Sequence, residues 1–410
     1  MTERTARRTA AAALSVALSA TLLAGGCATP GGSAATRAES TRPGVRDAVR
    51  GLVTAGGAPG AAALSRTEGR APWFGAAGVA DLRSERRMRA GDRFRAGSLT
   101  KTFVATVVLQ LAGEGRLRPS DHVEDHLPGL VRGRGNDGRR ITVRQLLAHT
   151  SGLFNYTEDP RLAARLFGRG FRAHRMEAHT PRELVRVALR HPPRFAPGTA
   201  YGYSNTDYIL LGLIVEKVTG RPYAEEVERR VLRPLRLEAT SFPGTRSELP
   251  YPHGRAYSTA GETTDEKAGD EPRARHGRSG AAHERALDDV TRLDPSSAGA
   301  AGEAVSTLGD LSRFLHALLS GALLEPRQLR EMRDTTRTGG RYGLGLFPVR
   351  LRCGVTLWGH NGTINGSYVR ALGTADGSHV LTYRVNTDHA PSLRAETRLQ
   401  QAEFCPRRTR

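Results

Sequence analysis

Two periods of apolar residues run along this chain, and they sort by position. Near the front, Ala61 to Arg66 and Trp73 to Val79 read as strands, with Gly and charged residues between them. A short helix over Gly44 to Val53, stopped at Gly56-Gly57, precedes them. Near the end, Tyr342 to Val349, Val355 to Trp358, Ser367 to Leu372 and Val380 to Val385 read as strands, and Ser392 to Phe404 as a closing helix. From Ser120 to about Thr245 the spacing is helical. Val143 to Leu147 stops at His149-Thr150-Ser151-Gly152, Pro181 to Leu189 follows, Tyr208 to Thr219 stops at Gly220, and Ala224 to Leu232 comes next. Leu308 to Leu319 is an amphipathic helix. Strands at both ends with helices between predict an α+β fold. An antiparallel sheet would be assembled from both termini and flanked by helices, with a mostly helical domain, about 120–305, inserted. No internal repeat is evident.

One segment departs from amphipathic spacing. Thr102 to Ala112 carries Phe103, Val104, Val107, Val108, Leu109 and Leu111, apolar on most sides, and ends at Gly113 and Gly115. A helix apolar nearly all round is buried. Ser98 then lies at its N-terminus, with Lys101 one turn in on the same face. Lys101 is one of three lysines in the chain, with Lys217 and Lys267; the other basic residues are all Arg. Only Lys can lose its proton when desolvated, so a buried Lys beside a serine hydroxyl is a candidate base. A serine hydrolase needs such a nucleophile and base, and donors aimed at the developing oxyanion. The free N–H groups of a helix N-terminus supply such donors.

Tyr251 to about Ala298 breaks the helical pattern with mixed charges and few apolar residues, and reads as a mobile surface insertion. At the front, Arg7-Arg8 followed by the apolar, small-residue run Ala11 to Gly26 has the plan of an export signal, 1–27. Leu23-Ala24-Gly25-Gly26-Cys27 resembles a bacterial lipoprotein cleavage box, which makes Cys27 a candidate lipidation site; ordinary cleavage with release is the alternative. Residues 28–43 read as a flexible tether, and 44–405 as the catalytic domain. Localisation is therefore expected at the outer membrane face, through a lipid anchor, or outside the cell. Cys353 and Cys405 remain, and export suggests either one disulfide or two buried thiols.

The net charge of +20 raises nucleic-acid binding as a class. The Arg residues are spread over the whole length, without aromatic interleaving, zinc spacing or a recognition helix. No nucleic-acid partner is expected, and a basic surface suits an anionic cell envelope. His122 and His126 are four apart, but no acid directly follows His122 as a zinc protease requires. No metal or other cofactor is expected. No Ser sits in a Gly-x-Ser-x-Gly elbow.

Two further stretches carry candidate chemistry. Tyr203 and Asn205 stand two apart in a Gly-rich segment read as extended, so both can face one cleft. A nearby ammonium would favour the Tyr203 phenolate and let it relay a proton near neutral pH; Asn205 can hold a substrate amide. His360 is read as ending a strand, and Gly362 permits close backbone approach. The Thr363 N–H is the candidate second oxyanion donor, after that of Ser98.

Together, Ser98-Leu99-Thr100-Lys101, Tyr203-Ser204-Asn205 and His360-Asn361-Gly362 resemble the motifs of the serine penicillin-recognising hydrolases. The likeness is to the branch holding class C β-lactamases and exocellular D-alanyl-D-alanine carboxypeptidases, and covers about Gly44 to Phe404 without the insertion. It implies a Ser98 acyl-enzyme in a cleft between the sheet and the helical part. His360, where β-lactamases carry Lys, points toward the carboxypeptidase and esterase side. Asn361 stands where Thr or Ser usually helps hold a substrate carboxylate; Asn361 and Gly362 are candidate substrate contacts, with Arg350 or Arg352 supplying the charge. The carboxypeptidases carry a disulfide where Cys353 and Cys405 fall. The expected function is an exported serine peptidase on D-Ala-D-Ala-type peptides or a related D-amino-acid amide, with peptidoglycan as partner. A β-lactamase or small-ester hydrolase is the alternative on the same site, and a non-catalytic lipoprotein binding peptidoglycan fragments is the alternative class.

Overall fold

The computed structural model of the chain describes residues 42–54, 57–259 and 287–405. The expected export signal, Cys27, the tether up to residue 41 and residues 260–286 of the expected insertion lie outside the described residues.

Helix α1 (Pro43–Thr54) precedes strands β1 (Gly60–Thr67) and β2 (Trp73–Gly78). The helices that bear on the site are α2 (Thr100–Gly113), α3 (Val143–Leu147), α4 (Pro181–Leu189), α5 (Asn205–Thr219) and α6 (Leu308–Leu319). Four strands follow, β3 (Phe347–Arg350), β4 (Thr356–Ile364), β5 (Ser367–Thr374) and β6 (His379–Val385), then helix α7 (Leu393–Phe404). The six strands form one antiparallel sheet in the order β2-β1-β6-β5-β4-β3. The first strand of the chain thus pairs with the last, Ala61 opposite Val385.

Period-two alternation gives the sheet two covered faces. Ala61 and Ala63 of β1 pack with Leu381, Tyr383 and Val385 of β6 against α1 and α7, where Val45, Val49, Leu52 and Leu399 are buried. Ala62 and Leu64 face the other way, into the large core with α2 and α6. Burying each Val or Leu among them is worth about 1.5–3 kcal/mol, and each Ala less. Phe103 of α2 stacks on Phe314 of α6 at 3.7 Å between centroids, which locks the nucleophile's helix to the layer beneath the sheet. Helix α2 is buried nearly throughout, as its apolar circumference requires, and Lys101 is buried with it.

Four expectations need correction. The strand expected over Tyr342 to Val349 shortens to Phe347–Arg350, because Gly345 adopts φ +87 and turns the chain. His360 does not end a strand; β4 runs on to Ile364. Its glycines are strand residues because partners crowd them: a Cβ on Gly359 would lie 1.9 Å from the Ala371 carbonyl oxygen. Helix α5 begins at Asn205 rather than Tyr208, so Asn205 sits on a first helical turn. The insertion expected over Tyr251 to Ala298 is too wide. Tyr257–Ser258 pairs with Asp288–Asp289, and Ala256, Val290 and Leu293 form a small core with Phe171. The charged stretch between these apolar flanks masked them.

Candidate active site

Ser98 sits in a single 3₁₀ turn, Gly97–Leu99, that leads into α2. The turn starts from Gly97 at φ +53, where a Cβ would lie 2.7 Å from the Thr363 amide nitrogen. A Cβ on Gly362 would lie 2.9 Å from the Ser98 nitrogen and 1.9 Å from the Ala96 carbonyl oxygen. Glycine on both sides lets strand β4 press against the turn. The Ser98 and Thr363 amides are brought together there, the pairing an oxyanion site needs.

Lys101 is wholly buried, and its Nζ lies 3.0 Å from Ser98 Oγ, 2.7 Å from Asn205 Oδ1 and 2.7 Å from the Ala301 carbonyl oxygen. The two carbonyl oxygens can only accept. A neutral amine has two N–H donors and one lone pair. Its donors go to Asn205 and Ala301, and the lone pair is left for the Ser98 hydroxyl proton. Burial pushes the amine well below 10.5, partly offset by the Asp207 carboxylate, so the neutral base is within reach.

The Tyr203 ring centroid lies 4.9 Å from Lys101 Nζ, and the Ser98 hydroxyl is near enough to the phenol to offset part of its burial. The expected phenolate is corrected here. Desolvation pushes the phenol well above its ordinary value, and no effect of the Lys ammonium reverses this. Burial thus favours Tyr203 as a neutral O–H able to pass a proton on, and leaves Lys101 as the candidate base. Asn205 is fixed from both sides: its Nδ2 donates to Thr157 Oγ1 at 3.2 Å, and Asn155 Oδ1 accepts from its backbone N–H at 3.1 Å.

His360 is buried, with Nε2 at 2.8 Å from the Tyr342 hydroxyl and Nδ1 against the Asn361 carbonyl. Burial lowers it to about 3, so the ring is neutral. The cleft beside Ser98 is narrow, with a cavity volume of about 90 Å³. Ser98, Asn205 and Thr363 border it together with an apolar wall of Leu166, Phe167, Phe171 and Leu293. Asn361, Arg350 and Arg352 are not among its lining residues. Arg350 pairs with Thr356 at the far end of the β3–β4 hairpin, and exposed Arg352 lies in its turn. At about 3.3 Å per residue, seven steps along β4 put about 20 Å between Thr356 and Thr363, the residue beside the Ser98 turn. The guanidinium that borders the cleft is Arg175, near Asp294. Cys353, in the same turn, is disulfide-bonded to Cys405 after α7. His122 precedes the short helix Val123–His126, where His126 Nε2 meets Asp121 at 3.3 Å.

Several site residues escaped the sequence reading. Ala301 contributes only a carbonyl, which leaves no trace in side-chain type. Tyr342 lay inside a misassigned strand. The His149-Thr150-Ser151-Gly152 stretch does end α3, as expected, but it does more. His149 Nδ1 lies 3.1 Å from Asp207 Oδ2, and Ser151 Oγ donates to Asp207 Oδ1 at 2.5 Å, all three residues being buried. The available signal was an Asp inside the otherwise apolar run of α5.

Known proteins share this fold. A solved D-stereospecific amidohydrolase from Streptomyces sp. is 45% identical, with TM-score 0.78, covering 89% of this chain and 98% of that one. A D-amino acid amidase from Ochrobactrum anthropi SV3, solved with L-phenylalanine, is 25% identical with TM-score 0.71, covering 88% of this chain and 98% of that one. The putative penicillin-binding protein PbpX of Bacillus subtilis (strain 168) is 26% identical over 254 residues, 62% of this chain and 53% of that protein. The chain thus spans about half the length of this curated relative, or less for others such as Protein flp of Staphylococcus aureus, at 35%. The Beta-lactamase family model matches residues 45–404, so the chain belongs to the beta-lactamase family of serine penicillin-recognising hydrolases.

Proposed function

We propose that this serine hydrolase cleaves the amide bond of D-amino-acid amides and short D-aminoacyl peptides through an acyl-enzyme on Ser98. The observation that carries the chemistry is the buried Lys101 amine 3.0 Å from Ser98 Oγ, its N–H groups held by Asn205 and Ala301. The likeness to the Streptomyces D-stereospecific amidohydrolase supports the substrate class. It favours D-aminoacyl amides over the narrower D-Ala-D-Ala carboxypeptidase expectation.

Ser98 Oγ attacks the carbonyl carbon as its proton passes to Lys101 Nζ. The carbonyl electron pair moves onto oxygen, which the Ser98 and Thr363 N–H groups receive. The C–N bond breaks as the Tyr203 O–H protonates the leaving nitrogen and is itself reprotonated by Lys101. Water, deprotonated by the same pair, then releases the acid and restores Ser98. The apolar wall of Phe167, Phe171 and Leu293 suits a large apolar side chain on the acyl residue.

The test offers D- and L-phenylalanine amide, a D-Ala-D-Ala peptide and a fluorescent penicillin to the protein and to Ser98→Ala. Hydrolysis of the D-amide, with the L-amide at least about 10-fold slower and no turnover by the variant, supports the reading. An L preference, or full turnover by Ser98→Ala, overturns it; rapid penicillin turnover substitutes a β-lactamase. Export and lipidation of Cys27, with peptidoglycan peptides as natural partner, belong to the same proposal and rest on the sequence of 1–27. Release of a Cys27→Ala variant from membranes checks the anchor; equal membrane retention rejects it.

A further inference from the structure

Directly behind the base lies a polar cluster that the reaction steps above do not use. His149 is buried at φ +56, a left-handed conformation that costs a non-glycine residue about 1 kcal/mol or more. Its ring packs 4.2 Å from that of Tyr203, 4.9 Å from Tyr342 and 5.2 Å from Tyr208 between centroids. Its Nε2 is buried without a partner. Its Nδ1 lies 3.1 Å from Asp207 Oδ2 and 3.3 Å from the Ser204 backbone nitrogen, whose N–H donates to it, and Ser151 donates to the other oxygen of Asp207. Asp207 lies two residues beyond Asn205, which touches Lys101. A strained histidine and a buried carboxylate are costly to keep unless they act on their neighbours.

We propose that Asp207, held by Ser151 and His149, is the buried counter-charge that stabilises Lys101 as an ammonium when it takes the Ser98 proton. The inference rests on the Ser98–Lys101 reading above. The three atoms in contact with Lys101 Nζ, on Ser98, Asn205 and Ala301, are all neutral, so nothing in contact offsets the new positive charge. The groups facing Lys101 are Asp207 and Tyr208 from α5, Tyr203 from the segment before it, His149 from the loop after α3 and His360 from β4. Burial drives both histidines toward the neutral form; it also pushes the Asp207 carboxyl well above its ordinary value, and the Ser151 hydrogen bond and the Lys101 charge pull it back toward the carboxylate. Asp207 in turn faces Lys101, Tyr203, Tyr208, Ser151 and His149. Ser151 and His149 act as positioning residues: they hold the carboxylate, and the His149 ring supports the Tyr203 ring.

Asp207→Asn keeps the size and removes the charge. The assay is kcat/KM for a nitrophenyl ester from pH 5 to 10, with Ser98→Ala as control. Without the carboxylate the ammonium is less favoured, so the acid limb moves to lower pH, by half a unit or more. Thermal melts of Lys101→Met, Asp207→Asn and the double variant accompany it, taken below the wild-type acid limb, where Lys101 is an ammonium. If Asp207→Asn folds poorly, the melts decide: removing Lys101 as well restores melting temperature when the two groups are a charge pair. An unmoved acid limb in a folded Asp207→Asn, or melting losses that simply add, overturns the proposal. Activity surviving in Ser98→Ala instead overturns the serine-hydrolase reading itself, so the two failures are distinguishable.

Discussion

Lys101 Nζ lies 2.7 Å from Asn205 Oδ1, and that amide oxygen can only accept. Asn205 therefore aims the amine: with one N–H claimed there and another by Ala301, the lone pair faces Ser98. The pair joins the second motif to the first across more than a hundred residues, and the first prediction tests it.

Replacing Lys101 with Arg keeps the charge but not the chemistry, because a guanidinium stays protonated. Acylation by a nitrophenyl ester should fall at least about 100-fold, the lower range for loss of a general base. Mass spectrometry of the trapped acyl-enzyme checks this; wild-type rates would remove Lys101 from proton transfer.

Tyr203→Phe separates the two proton steps. An amide nitrogen must be protonated to leave, whereas a nitrophenolate leaves unaided. The variant should lose about 10²–10⁴-fold on a D-aminoacyl amide and markedly less on the nitrophenyl ester. Equal losses on both substrates would assign the phenol to attack rather than departure.

His360 links stability to pH. Its folded value is lowered to about 3 by burial, against an ordinary 6.5. Between those two values the unfolded chain binds a proton that the folded chain refuses, so stability falls as pH drops through this window. Buried His149 adds a slope of the same sign. His360→Gln should flatten the fall of melting temperature between pH 6.5 and 3. An unchanged slope would mean that the ring is protonated in the fold.

The Cys353–Cys405 bridge closes a loop with a sequence separation of 52. In the chain-entropy account such a loop contributes about 4 kcal/mol, with measured bridges at about 2–4. Cys353→Ser should lower the denaturation midpoint accordingly while leaving ester turnover at saturating substrate unchanged, since Cys353 lies at the hairpin end remote from Ser98. Loss of turnover in protein that is still folded would contradict that separation.

Much of this was legible from residue order, and the gaps have physical causes. The strands at both ends and the buried helix after Ser98 announced themselves because burial imposes periods of two and of all-round apolarity. Ser98, Lys101, Tyr203 and Asn205 stood out because a hydroxyl, an amine and a phenol in apolar company are costly. Arg350 and Arg352 misled because nearness in sequence to His360 says nothing about which end of a hairpin a residue occupies. Gly362 was legible as a place of close backbone approach, but which segments press on it and on Gly359 is invisible in one dimension. Asp207 was passed over because its partners, His149 and Ser151, lie more than fifty residues away.

The pairing of β1 with β6 has a consequence for how activity first arises. Strand β1 waits for a neighbour from residues 379–385, and the Thr363 amide arrives on the same late stretch of chain. A nascent chain that already carries Ser98 has its first oxyanion donor but lacks the second. The oxyanion site is therefore complete only once strand β4 has docked against the turn that carries Ser98.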